Sequence, residues 1–502
     1  MTKKELKKMF STPEWSIETV EEADKIISKI AKDYLKLDTY PNQFEIVTAE
    51  QMLDAYSLIG LPLQYNHWKF GKDFVINQNK YKRGQMGLAY ELVINSNPCI
   101  SYNMEENTTC LMLLVLAHAN YGHNHFFKNN YMFKLWTQAD SIIDYLVFAK
   151  DFINKCEERY GYEEVEATLD ACHALMNYGV DKYKKPRKLS PKEENERLQK
   201  TIEDDRINFS DIWRTLPDNS KKKERMSKSR FPEQPEENIL YFIEKNSPTL
   251  KAWQREIVRI VRKISQYFYP QGQTKVLNEG CASFVHYHIM NKMFDDGYLD
   301  EGVMIEFFHH HSNVLSQPAF DSKYYSGLNP YTLGFNMLQD IKRICENPTE
   351  EDKKWFPNLI GKDWLDEVHF AMNNFKDESF VLQYLSPKVM RDMKLFLIDD
   401  EAANEENYVV SAIHNETGYK RVREALSAHY SRSRYVPDIQ VFDVDVYGTR
   451  SLTLEYIPTD NKDLNMKEVD KVLPYVKYLW GFPIHIFKRQ QNGKRLIIAT
   501  KD

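Results

Sequence analysis

The sequence predicts an α+β protein, with a mainly helical body that carries a short strand or hairpin element and a small C-terminal α/β domain of ferredoxin-like order. Three observations predict it. Only 18 glycines occur in 502 residues, well below the usual share, and long stretches rich in Leu, Lys, Glu, Tyr and Ile favour helix. Apolar residues recur at helical spacings over much of the first 400 positions. Beyond about residue 400 the period switches to one in which short alternating segments punctuate two helices.

Residues 16–36 read as a first helix, and a second covers 48–58, where Thr48 can cap the A-E-Q-M-L-D-A-Y run. Two extended segments follow, Glu91 to Asn95 and Cys99 to Tyr102, separated by the turn formers Asn97 and Pro98. Asn107 or Thr108 can then cap a helix running toward His118, and a further helix from about 137 to 158 carries Asp140 and Asp144. From Lys182 to Glu237 charge runs such as K-K-P-R-K and K-K-K-E-R, with five prolines, mark a linker or excursion. Helix returns at Pro248 to Tyr269, where Trp253, Ile257, Ile260, Val261, Ile264 and Phe268 share a core-facing side. More helices fall at 278–294, 301–311, 331–345 and 363–375. The last region reads as a strand at 408–414, a helix at 418–430, strands at 439–446 and 451–457, a helix at 466–480, and strands at 484–487 and 495–500. That is β-α-β-β-α-β plus one strand, the split βαβ order. The expected domains are therefore 1–181, the charged segment 182–237, 238–400, and 401–502.

Composition excludes several classes. With 67 Lys and Arg against 73 Asp and Glu, the chain has no general attraction for nucleic acid or an anionic membrane. Its greasiest run, Cys110 to Ala117, is far shorter than the roughly 20 residues that span a bilayer. The N-terminal M-T-K-K-E-L-K-K-M-F lacks a following apolar stretch, and the six cysteines are scattered without a C-x-x-C pair. A cytoplasmic, reducing location is expected. No phosphate-binding glycine loop, G-x-G-x-x-G turn or G-x-S-x-G elbow is present.

Eight of the 14 histidines sit in three segments: L-A-H-A-N-Y-G-H-N-H-F-F, L-N-E-G-C-A-S-F-V-H-Y-H and I-E-F-F-H-H-H-S-N. Imidazole together with carboxylate suits a d-block metal, whereas calcium and magnesium prefer oxygen alone. His118 and His123 lie five apart, about 140° around a regular helix, so they converge only where the helix ends or bulges, a break that Gly122 permits. Two histidines near a helix end, preceded by a strand, resemble the zincin layout. Here, however, four residues separate them, and Ala119 stands where the glutamate of H-E-x-x-H acts as base. The L-N-E-G-C-A-S run is similar to the L-N-E-G-F-A of zinc aminopeptidases, which by analogy makes Glu279 the third ligand. His286 returns within about 20° of Glu279 but about 10 Å along the axis, so it suits a supporting or substrate-facing role. Glu306 and His309 have the E-x-x-H spacing that presents two groups from one helix, and Glu306 with His310 would share a face almost as well. His125, His288 and His310 read as ordinary core or surface histidines, Asp140 and Asp144 as helix-surface or supporting groups, and Cys281 as a small buried residue.

Long contiguous stretches then bring a family into view: I-L-Y-F-I-E-K-N-S-P, W-Q-R-E-I-V-R-I-V-R-K-I-S-Q-Y-F-Y-P-Q, N-E-G-C-A-S-F-V-H-Y, L-N-P-Y-T-L-G-F-N-M and I-C-E-N-P-T-E-E-D-K-K-W-F-P. With Y-G-H-N-H-F-F-K-N-N-Y upstream and A-I-H-N-E-T-G-Y downstream, the chain resembles the stage V sporulation protein R family over nearly its whole length. The family pattern matches at His118, Gly122, His123, Asn124, Glu279, Gly280, His286, Glu306, His309 and His311. The resemblance implies a cytoplasmic protein tied to spore cortex assembly. In bacteria that form no spores it implies a stress or stationary-phase signalling role beside a serine protein kinase and a von Willebrand-type partner. It carries no settled reaction.

Two functions are therefore expected. The first is a metal-dependent, hydrolase-like site in which His118, His123 and Glu279 hold zinc or a similar ion and His286, His309, His311 or Glu306 position water or substrate. The second is a regulator or scaffold that binds a kinase partner, any metal being structural.

Overall fold

The computed structural model describes residues 1–502 except 59, 62, 84–89, 185–195, 197–199, 201–230, 320–321, 396, 400–408, 412–414, 432–434, 460–461 and 491–492. Most of the charged segment expected between 182 and 237 thus lies outside the described residues. The chain is mainly helical with small sheets, as an α+β protein should be. It divides into two compact units: 1–170 with 263–436, and 171–262 with 437–502. Each is built from two separated stretches, an arrangement that composition along the chain does not reveal.

In the first unit the predicted helices form with their caps. Ser16 accepts the N–H of Thr19 at the start of Ile17–Asp33, and Thr48 accepts that of Gln51 at the start of Ala49–Ser57. The expected hairpin is part of a three-stranded sheet: β1 (Asn42–Val47), β2 (Glu91–Ile94) and β3 (Cys99–Met104) lie in the order β1-β3-β2, with β1 parallel and β2 antiparallel to β3. β1 has no clear alternation, three of its six residues being fully exposed, which is why sequence pattern misses it. The Trp68–Lys82 helix was also unforeseen; it buries only Phe70 and so lacks an apolar stripe.

The core of this unit is organised around the Lys275–Asp295 helix, which buries Val276, Leu277, Cys281, Phe284, Val285, Ile289, Met290 and Met293. Backbones approach it unusually closely on two sides. A Cβ added to Gly280 would lie 2.5 Å from Gly334 Cα in the Pro330–Glu346 helix, and one added to Gly334 would lie 2.1 Å from the Val276 carbonyl oxygen. A Cβ on Gly122 would lie 2.6 Å from Ala282 Cα. Its glycine is therefore required by helix packing, a role different from the helix break that its position in the sequence had implied.

The second unit holds a four-stranded sheet of β6 (Asp438–Val444), β7 (Leu452–Ile457), β8 (Ile484–Arg489) and β9 (Arg495–Lys501), in that order. β7 and β8 are parallel and joined through the Met466–Trp480 helix; the outer pairs are antiparallel. Fully buried Glu455 on β7 receives Arg489 at 2.5 Å and Arg495 at 2.6 Å, pinning three strands together. The strand expected to open a ferredoxin-like order is not in this sheet. Among the described residues Val409–Ser411 (β5) pairs with Leu397–Asp399 (β4) as a separate hairpin in the first unit, so the sheet runs β-β-α-β-β. Periodicity identifies a strand but not its partner.

The glycine crossings generate a stability prediction. Gly334→Ala should cost about 3 kcal/mol through overpacking. Gly71→Ala, in a helix where an added Cβ meets nothing within 4 Å, should be neutral or gain up to about 1 kcal/mol. Thermal unfolding followed by circular dichroism distinguishes the two, and equal midpoints would refute the close-packing account.

Candidate metal centre

His118 and His123 lie on an eight-residue π-helical stretch, Leu116–His123, entered from the Thr109–Val115 helix and left through Asn124–Asn129. Bonding from i to i+5 places residues five apart one above the other, and the two imidazole rings stand 4.7 Å apart. The bulge required by their spacing is therefore spread over the whole segment. Glu279 comes from the second turn of the Lys275–Asp295 helix, whose start is fixed from outside, since the Asp377 carboxylate accepts the N–H groups of Val276 and Leu277 at 2.9 Å each. The crossings at Gly122 and Gly280 bring Glu279 against the π segment.

The ligand-capable atoms of His118, His123 and Glu279 all fall within 4.8 Å of one another. Glu279 Oε2 is 3.4 Å from His123 Nε2 and 3.9 Å from His118 Nε2. These separations fit poorly as hydrogen bonds but well as edges of a coordination shell, because ligands about 2.0–2.1 Å from zinc stand about 3.3 Å apart in a tetrahedron. Both His118 Nε2 and Glu279 Oε2 are buried without a hydrogen-bond partner, a costly state for polar atoms unless a cation satisfies them. On these grounds the residues fit a transition metal ion.

The opposite ring nitrogens are engaged. His123 Nδ1 lies 2.9 Å from Asn278 Oδ1, an acceptor that keeps the proton on Nδ1 and leaves Nε2 free as a ligand. His118 Nδ1 meets His286 Nδ1 at 2.9 Å, and His286 Nε2 meets His311 Nδ1 at 2.7 Å, so three buried imidazoles form a chain. Burial pushes His118 and His311 down to about 4 and His286 well below its ordinary value. They are neutral at physiological pH, as ligation and imidazole–imidazole bonding require.

Two groups were not anticipated. Glu91, the first residue of β2, points its carboxylate at His118 Nε2 from 3.6 Å. Burial, with the Glu279 charge adding to it, pushes Glu91 up to about 8. Tyr331, within L-N-P-Y-T-L-G, stacks on the His118 ring at 6.2 Å between centroids; burial raises the Glu279 carboxyl, but His123, His118 and the nearby phenol outweigh it and hold the group below its usual value. Asn278 and Tyr331 lie in stretches that carry the family resemblance. Glu91 has no histidine near it in sequence, and no spacing signal reveals it.

The remaining candidates are placed elsewhere. Glu306 accepts the Thr108 hydroxyl at 2.6 Å and lies 3.6 Å from His310, buttressing the N-cap of the helix that leads to His118. His309 is exposed, with Nε2 3.1 Å from the Asn313 amide. Neither is among the gathered ligand atoms, because E-x-x-H at the surface of Glu301–Val314 faces away from buried His311 on the same helix. His125 bonds the Asp38 backbone and His288 bonds Gln339 and stacks on Trp364. Asp140 is exposed and accepts from Asn97, Asp144 is exposed, and all six cysteines are free and buried. No helix among the described residues is long and apolar enough to cross a membrane.

The centre opens to a cleft of about 640 Å³, lined by Glu91 to Ile94, His123, Phe127, Phe268, Lys275, Glu279 and Tyr331 among others. This architecture defines a helical protein with a mixed-ligand His/Glu centre beside a small sheet. The chain belongs to the SpoVR family: the model described as SpoVR like protein matches residues 14–435, and SpoVR-like C-terminal domain matches 437–491. A relative from Escherichia coli (strain K12), described as Uncharacterized protein YcgB, is 53% identical over 491 residues, covering 98% of this chain and 96% of the relative. No solved structure matches the chain.

Protein purified without chelator should carry about one zinc or iron-group ion per chain, which His123→Ala and Glu279→Ala each abolish. Asn278→Ala should weaken zinc binding by roughly 10–100-fold through the lost orienting bond, while His309→Ala and His310→Ala leave it unchanged. Elemental analysis and competition titration, with circular dichroism to check folding, are the measurements. A wild type that stays metal-free after incubation with zinc, iron and manganese would reduce the cluster to a hydrogen-bonded core network.

Proposed function

We propose that the protein is a metal-dependent hydrolase in which His118, His123 and Glu279 hold the ion and Glu91 is the general acid–base. The observation that carries this reading is the convergence of two unpartnered buried ligand atoms, His118 Nε2 and Glu279 Oε2, beside an open cleft that Glu279 and His123 line. A zinc-class ion bound there would lower the pKa of a water and polarise a carbonyl. Three protein ligands are the number that leaves a position for substrate.

Glu91 supplies what the missing helix glutamate would have done. Its carboxyl lines the cleft and faces His118 Nε2 from 3.6 Å, within reach of a water that the ion would hold. It would take a proton from water as the water oxygen bonds to an acyl carbon, then return it to the leaving nitrogen or oxygen as that bond breaks. Tyr331, stacked on the His118 ring and lining the same cleft, would hold that ring in place. The neutral His286–His311 chain fixes the His118 ring and positions the ligand without touching substrate. The small sheet beside the histidine segment supports the zincin-like layout, with the acid–base arriving from a strand instead of from position 119. An open cleft favours this reading over a structural metal in a regulator, which needs a closed shell of four ligands.

Zinc-loaded full-length protein should hydrolyse simple amide or ester reporters, lose that activity with chelator and regain it with zinc. Glu91→Gln should keep the metal but lower kcat by about 10²–10⁴-fold. If it keeps both the metal and full activity, Glu91 is not the acid–base.

A further inference from the structure

β2 is an edge of its three-stranded sheet, and all four of its residues, Glu91, Leu92, Val93 and Ile94, line the cleft. Successive residues of a strand point to opposite faces, so a cleft touched by all four runs along the strand's edge and not over one face. The register shows which backbone groups lie on that edge. The Met104 N–H donates to the Tyr90 carbonyl at 3.2 Å, one step beyond the Glu91↔Asn103 pairing. Hydrogen-bonded and non-hydrogen-bonded pairs alternate in an antiparallel ladder. Leu92↔Tyr102 is therefore the next bonded pair, and the N–H and C=O groups of Glu91 and Val93 turn away from β3. Glu91 also aims its side chain at His118 Nε2, 3.6 Å away. Among the described residues this edge is unpaired, and it shares Glu91 with the candidate metal centre.

We propose that the cleft binds an extended peptide segment, which adds to β2 as a further strand and so delivers one of its carbonyl groups to the His118–His123–Glu279 centre. This rests on the hydrolase reading and assigns its substrate class. Outward backbone groups at Glu91 and Val93 would pair with the peptide main chain whatever its sequence, giving affinity, while apolar walls such as Leu92, Ile94, Phe127 and Phe268 receive alternate side chains and give selectivity. An edge strand of only four residues is short enough to escape indiscriminate strand pairing and long enough to hold a short peptide in register.

The test compares two probes that share a metal-binding head, acetohydroxamate and an acetyl-Leu-Ala-Leu-Ala hydroxamate, by calorimetry on zinc-loaded full-length protein. Strand addition predicts that the tetrapeptide binds about 30-fold tighter or better, as several new backbone bonds require. N-methylation of the probe at alternate amides should remove that gain, and methylation at the intervening amides should leave it. Val93→Pro, which deletes an outward N–H but no bond to β3, should lose the gain while zinc content and acetohydroxamate affinity persist. If the tetrapeptide binds no tighter than acetohydroxamate, or N-methylation acts equally at every position, the peptide assignment is overturned and the metal reading stands. If neither hydroxamate binds and no zinc is retained, the metal reading falls and the peptide assignment with it.

Discussion

The close passage of the Lys275–Asp295 helix against two neighbours is the constraint on which the site depends. At Gly122–Ala282 and at Gly280–Gly334 the backbones come so near that no side chain fits between them. Helices usually pack 8–10 Å apart, about the width their side chains impose; glycine removes that spacer. Both crossings lie within three residues of Glu279 along its helix. They carry its carboxylate to the π-helical segment on one side and bring Tyr331 to it from the other. A larger residue at any of these glycines would push the ligands apart by more than a coordination shell tolerates.

The second organising fact is the cost of the polar cluster. Four imidazoles, two carboxylates and a phenol share a mostly buried space, and one nitrogen or more of each ring is paired: His123 with Asn278, and His286 with His118 and His311. Within this set, His118 Nε2 and Glu279 Oε2 are buried without a partner, 3.9 Å apart. A core network satisfied for its own sake would leave its unpaired atoms scattered. Here they converge, as a cation site requires, and the long edges between them are too wide for hydrogen bonds yet right for a shared ion.

Much of this was legible from sequence, and the limits have physical causes. The cap at Thr48 is a local signal and was readable as such, as was one at Asn107 or Thr108, of which the structure uses Thr108. So were the burial of the 252–268 helix face and the alternation of β7 and β8. The histidine spacing itself demanded a bulge between His118 and His123, because five residues do not close on a regular helix. Strand partners were not readable, so β5 was assigned to the wrong sheet. Nor could the outward orientation of His309 and Glu306 be separated from the inward one of His311, since a helix with apolar and polar residues on several sides has no single face to assign.

By itself, then, the sequence determined the α+β class, the family, and a candidate ligand set of His118, His123 and Glu279, residue types that suit a d-block metal. Those are consequences of local periodicity, of contiguous motif identity and of ligand chemistry. Only the tertiary structure decided that Glu91 joins them, that Gly122 serves packing, that His286 and His311 support a ligand from behind, and that β2 leaves its edge along the cleft. Each of these depends on contacts between segments 25 to 168 residues apart in the chain. No period or spacing along the sequence encodes such distances.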